Sequence, residues 1–108
     1  MVSLLLACAG LASGCHSAGS ICQGTVDREN ALFERCATTL GRQWHVVLVL
    51  DGMPRECGNV SRVSDPDRLI LTCWPWLENT ACEDLVIGDP ALPPEIDPSC
   101  DYGQFEGL

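Results

Sequence analysis

The chain contains no lysine, and its six basic residues, all arginines, face fifteen acidic residues. The formal net charge is −9, and residues 69–108 carry acidic side chains but no basic one. Nucleic-acid phosphates and anionic lipid headgroups are bound by clusters of Lys and Arg. The charge balance therefore argues against a nucleic-acid partner and against adsorption to an anionic membrane surface.

Closely spaced cysteine pairs are also missing. The eight cysteines stand at positions 8, 15, 22, 36, 57, 73, 82 and 100, and none belongs to a C-x2-C pair of the kind that binds zinc. Cysteines at this density in a short chain are typical of oxidising compartments, where they form disulfides. The sequence therefore predicts a disulfide framework, with no metal and no cofactor.

A third absence is an apolar run long enough to span a membrane. Residues 1–14, MVSLLLACAGLASG, are apolar over about a dozen positions, against the roughly 20 that a spanning helix needs. A short apolar segment followed by small residues is typical of an export signal, although no base follows Met1. We expect a signal peptide at 1–14, a flexible linker at 15–21, a stapled domain at 22–87 and a Pro-rich acidic tail at 88–108.

The end of the apolar segment, LASGC at positions 11–15, resembles a bacterial lipobox. In that motif a small residue precedes a cysteine whose sulfur takes a diacylglycerol, and Ala12 stands where the motif prefers leucine. The resemblance implies lipidation at Cys15 and a membrane partner reached through that lipid. The alternative is an ordinary signal peptide that is cleaved after Gly14 or after Gly19.

Cysteine parity agrees with either form of processing. If Cys8 leaves with the signal and Cys15 is acylated or lost, an even number remains, which suits three disulfides. The predicted disulfide cysteines are Cys22, Cys36, Cys57, Cys73, Cys82 and Cys100. Sequence does not choose among their fifteen connectivities.

The hydrophobic patterns predict an α+β domain. Residues 27–41 place apolar side chains at helical spacing, with Asp27 as the expected N-cap and Gly41 at the C-terminal end. Residues 44–50, WHVVLVL, are rich in valine and are followed by the turn signal Asp51-Gly52. We expect an interior strand at 45–50 packed under one helix in a small antiparallel sheet. Its partner is expected at 59–63 or at 68–72, although 67–74 also permits a helix.

No catalytic motif such as G-x-S-x-G is present, and His45, the only histidine after the linker, is expected to be structural. Trp74, Pro75 and Trp76 are a candidate partner surface because tryptophan is enriched in interface hot spots. The alternative is that both tryptophans pack in the core.

The leading hypothesis for the function is a non-enzymatic exported lipoprotein of the cell envelope. The alternative is a secreted or receptor-accessory binding domain that uses the Trp-Pro-Trp surface.

Overall fold

The computed structural model describes residues 17–107, which form an α+β domain with three disulfides. The α+β prediction is confirmed. The helices are α1 (Ala18–Arg35), α2 (Ala37–Leu40), α3 (Pro66–Arg68) and α4 (Trp74–Asn79). The strands are β1 (Val49–Leu50), β2 (Met53–Pro54), β3 (Val60–Val63) and β4 (Phe105–Gly107). The predicted signal segment and Cys15 lie outside the described residues.

Helix α1 is longer than the sequence prediction. Its N-cap is Ser17, whose hydroxyl accepts a hydrogen bond from the Ser20 amide at 3.1 Å, so the expected Asp27 cap is wrong. Residues 18–21, assigned to a flexible linker, instead form the first turn of the helix. The helical period continues upstream, and it buries one face composed of Ile21, Cys22, Thr25, Glu29, Leu32 and Phe33. As expected, Gly41 caps the end of α2, with a φ of 81°.

Residues 45–50 do not form the predicted interior strand. Within this segment only β1 is part of a sheet, and it pairs with β2. The two strands are joined by a turn in which Asp51 and Gly52 both have positive φ. Side-chain burial alternates along the segment, since Leu48 and Leu50 are buried whereas Val47 and Val49 are exposed. The segment is therefore an extended edge that covers the core with one face. The valines favour an extended backbone, but they do not determine whether a second strand pairs with the segment.

Residues 68–74 are helical, so the strand candidate there is wrong. A π-helical turn spans Leu69–Cys73 and leads directly into α4, and both of its end residues are buried. Pro75 has no N–H to donate to the carbonyl four residues before it. The preceding turn widens accordingly, and the Trp74 amide bonds to the carbonyl of Leu69.

The end of the chain belongs to the domain. Strand β4 pairs antiparallel with β3, in a register that places Val60 opposite Gly107 and Val63 opposite Phe105. Ser99, Cys100, Gln104 and Phe105 are buried, so the expected boundary at residue 87 falls inside the folded unit. The prolines of 88–98 make that stretch irregular, but the residues after it return to the core.

Three disulfides join the elements. They pair Cys22 with Cys57, Cys36 with Cys82, and Cys73 with Cys100, across sequence separations of 35, 46 and 27 residues. Helix α1 and its C-terminal cap supply two of the six cysteines, so the helix is covalently fixed at both ends. Within residues 17–107, no helix combines the length and the apolarity needed to cross a membrane.

Candidate functional site

The predicted Trp-Pro-Trp surface is not a continuous exposed patch. Trp74 is only 8% exposed, and its indole N–H donates to the Thr25 hydroxyl at 2.9 Å. The Arg28 guanidinium covers the ring at 3.9 Å from its centroid. Pro75 is exposed and Trp76 is half-buried against the core. Trp74 therefore stabilises the packing of α4 on α1 and offers no free ring to a partner.

A cavity of about 310 Å³ lies between α1 and the extended edge that leads into β1. It is lined by Glu29, Phe33, His45, Val46, Val47, Val49, Pro93 and Tyr102. Its size is at the lower end of the range for small-molecule sites. The walls are mainly aliphatic and aromatic, with three polar side chains among them. This combination of apolar walls and few polar groups is typical of ligand pockets.

A second cavity, of about 460 Å³, shares Val49 and Tyr102 with the first. Its remaining lining residues are the buried Leu50 and Phe105 and the exposed Asp51, Gly103, Glu106 and Gly107. No buried polar atom without a hydrogen bond belongs to a residue that lines this second cavity alone. We therefore place the candidate site at the smaller cavity, which is called the Glu29 cavity below.

Glu29 reaches the cavity because of its position on α1. It lies one helical turn from Thr25 and another from Phe33, so the period that buries those residues also buries its carboxyl. Glu29 is 9% exposed, and its Oε2 atom accepts no hydrogen bond. Burial raises the pKa of Glu29 above its ordinary value, because the charged form is desolvated.

Tyr102 faces the same carboxyl from the 3-10 turn Tyr102–Gln104. The turn is capped by Asp101, which accepts from the Gly103 amide at 2.9 Å, and the Tyr102 ring packs edge-on against Phe105 at 5.4 Å. Burial and the neighbouring Glu29 charge raise the pKa of Tyr102. The Tyr102 hydroxyl, as a donor towards the carboxyl, opposes the larger effect of burial on the Glu29 pKa, although the two groups stand outside ideal hydrogen-bond geometry. Glu29 Oε2 and the Tyr102 hydroxyl oxygen are therefore neighbours without a well-formed hydrogen bond.

The remaining polar group of the site is His45, which is exposed at the rim of the cavity. The sequence pattern drew attention to His45 but gave no indication of Glu29 or Tyr102. Extending the helical period upstream of Asp27 would have placed Glu29 on the apolar face. Tyr102 carried no such signal, because the sequence around it reads as an acidic tail.

All six cysteines from Cys22 onward are oxidised, so none of them can act as a nucleophile. Among residues 17–107, no group of three or more His, Cys, Asp or Glu side chains is placed to hold a metal ion. What the Glu29 cavity presents is a buried acid beside apolar walls.

Comparison of the chain with protein-family models, with curated proteins and with solved structures finds no match in any of the three.

Proposed function

We propose that the protein is an exported, non-enzymatic domain of the cell envelope, anchored by a lipid on Cys15. The observation that supports export is the complete pairing of Cys22, Cys36, Cys57, Cys73, Cys82 and Cys100. Disulfides persist in oxidising compartments and are rare where glutathione keeps thiols reduced. A domain that depends on three of them is suited to the outside of the cytoplasm.

The position of α1 is compatible with an anchor at Cys15. Only His16 and the capping residue Ser17 separate that cysteine from the helix. An acylated Cys15 would hold the folded domain close to the lipid headgroups. Two or more acyl chains bind a membrane stably, whereas an acidic domain gains no attraction from anionic lipids. Membrane attachment would then depend on the lipid itself.

Cell fractionation tests the anchor, with Cys15→Ser as the test variant. The wild-type protein is expected in the membrane fraction and to be released by detergent, whereas Cys15→Ser should be soluble or remain an unprocessed precursor. Cys8→Ser is the matched control, because Cys8 is expected to leave with the signal peptide, and it should behave like the wild type. A wild-type protein that is soluble after export would refute the anchor, as would Cys15→Ser that is processed and retained in membranes.

The alternative function receives less support. A secreted or receptor-accessory domain that binds through Trp74, Pro75 and Trp76 requires an accessible Trp74, and that side chain is buried.

The alternative of an ordinary signal peptide can be compared with the start of α1. Cleavage after Gly19 would remove Ser17 and Ala18, and with them the N-cap of α1. Cleavage after Gly14 would leave the helix intact, and it produces the same Cys15 N-terminus that lipidation requires.

A further inference from the structure

We propose that the Glu29 cavity binds a small organic ammonium ion, with the cationic group on the Glu29 carboxylate and the apolar part against the valine side chains. The site extends beyond the proposed function, because neither export nor a lipid anchor requires a ligand.

The Glu29 carboxyl carries an acceptor atom without a formed hydrogen bond. Glu29 is nine-tenths buried and its Oε2 atom accepts no hydrogen bond, whereas buried polar atoms in folded proteins are nearly always paired. The neighbouring Arg28 is already engaged, since it bonds to the Gly24 carbonyl at 3.0 Å and to Glu78 at 3.2 Å. Among the residues that the structure describes, no arginine lines the cavity, and the donor beside the carboxyl is the Tyr102 hydroxyl, which stands outside hydrogen-bond geometry. A cation from outside the protein can supply a stronger, charged donor.

The charge of the surroundings favours a cationic donor. Among residues 17–107, Glu29 is the only acidic residue in the lining, and the chain as a whole carries a net charge of −9. Such a field attracts cations and repels anions. An ammonium group has three N–H donors, and the cavity holds two buried acceptors without partners, Glu29 Oε2 and the Tyr102 hydroxyl oxygen. One cation can satisfy both.

The cavity also has an apolar wall. Val47 and Val49 are 65% and 51% exposed, although both line the cavity beside Phe33 and Pro93. An aromatic or branched alkyl group bound there would remove this apolar surface from water, which is favourable. A water molecule could satisfy the carboxyl but would leave the valines exposed. The ligand class that matches the whole site is therefore an amine with one compact apolar group.

A three-probe titration tests the class of ligand on the mature, oxidised protein at neutral pH. The probes are 2-phenylethylammonium, the neutral 2-phenylethanol and the anionic 3-phenylpropanoate, and binding is followed by amide chemical shifts of residues that line the cavity. We expect the ammonium to bind about tenfold or more tightly than the alcohol, because it makes a charge-assisted hydrogen bond. The anion should bind more weakly than the alcohol.

Glu29→Gln should remove the preference for the ammonium over the alcohol. Glu34→Gln is the matched control, because Glu34 is exposed on the same helix and its loss changes the net charge equally. Three results would overturn the proposal: equal affinities for ammonium and alcohol, an unchanged preference in Glu29→Gln, or no binding of any probe at about 10 mM.

A second measurement, which needs no variant, is the NMR titration of the wild-type Glu29 carboxyl. Saturating 2-phenylethylammonium should lower its pKa, and an unchanged pKa would contradict the site.

Discussion

Substitution of Gly24 by alanine is expected to destabilise the protein, although helix propensity alone favours it. Gly24 lies inside α1, where replacing glycine by alanine ordinarily stabilises a helix by about 1 kcal/mol. A Cβ at this position would lie 2.6 Å from Trp74 Cζ2 and 2.9 Å from Trp74 Cη2. These distances are too short, so one of the two elements must move.

The indole has little freedom to make that movement. Its N–H is bonded to Thr25, the Arg28 guanidinium lies on its face, and only 8% of the residue is exposed. Overpacking of this kind costs about 1–3 kcal/mol, which equals or exceeds the gain in propensity. We therefore expect Gly24→Ala to lower the free energy of unfolding by up to about 2 kcal/mol.

Denaturant unfolding of a double-mutant cycle separates the two effects. Phenylalanine lacks the outer indole ring that contains Cζ2 and Cη2, so in a Trp74→Phe background Gly24→Ala should instead stabilise by up to about 1 kcal/mol. Ser20→Ala, at an exposed site on the same helix, is the control for propensity alone. If Gly24→Ala stabilises the wild type as much as it stabilises Trp74→Phe, the close contact between α1 and Trp74 does not exist.

Three further predictions concern the framework and the buried polar groups. Replacing Cys36 and Cys82 together by serine should cost about 4 kcal/mol in the chain-entropy model, because their disulfide closes the longest of the three loops at 46 residues; a loss below about 1 kcal/mol in denaturant unfolding would contradict this. Thr25→Val preserves shape but leaves the buried Trp74 N–H without its acceptor, so it should lower the free energy of unfolding by about 1–3 kcal/mol, whereas an unchanged unfolding midpoint would mean that the hydrogen bond contributes nothing. Because burial raises the pKa of Glu29 in the folded state, the unfolded chain ionises first, and the wild type should lose stability as the pH rises from about 4.5 through the raised pKa. Glu29→Gln should be free of this loss, so its melting temperature relative to that of the wild type should be higher at pH 7 than at pH 4, and a difference that does not change with pH would refute the raised pKa.

Local patterns predicted the parts of the fold that local chemistry determines. The helix around Leu32 and Phe33 followed from the apolar period, and the turn at Asp51-Gly52 followed from its residue types. Cysteine number indicated the framework, but the pairing depends on which elements meet in space. Val47 and Val49 have the β propensity of an interior strand, yet no second strand covers them. The β propensity of a segment follows from its own residues, whereas the burial of its side chains depends on which other elements pack against it.

The candidate site was largely hidden from the sequence. The helix was expected to begin at Asp27, because the capping Ser17 lies within a stretch of small residues that resembles a linker, and Glu29 was not recognised as a buried residue. Tyr102 was assigned to the acidic tail, but the disulfide between Cys73 and Cys100 and the pairing of β4 with β3 bring that region back to the core. Both errors have one cause, since the contacts that bury these side chains join residues far apart in sequence.

Mass spectrometry of the protein isolated from its native host measures export, pairing and anchoring together. The expected mature chain begins at an acylated Cys15, and non-reducing digestion should yield peptides that link Cys22 to Cys57, Cys36 to Cys82 and Cys73 to Cys100. A chain that retains residues 1–14 and has free thiols at all six of these paired positions would contradict both the export and the fold described here. A paired chain with an unmodified Cys15 would keep the fold and refute the lipid anchor.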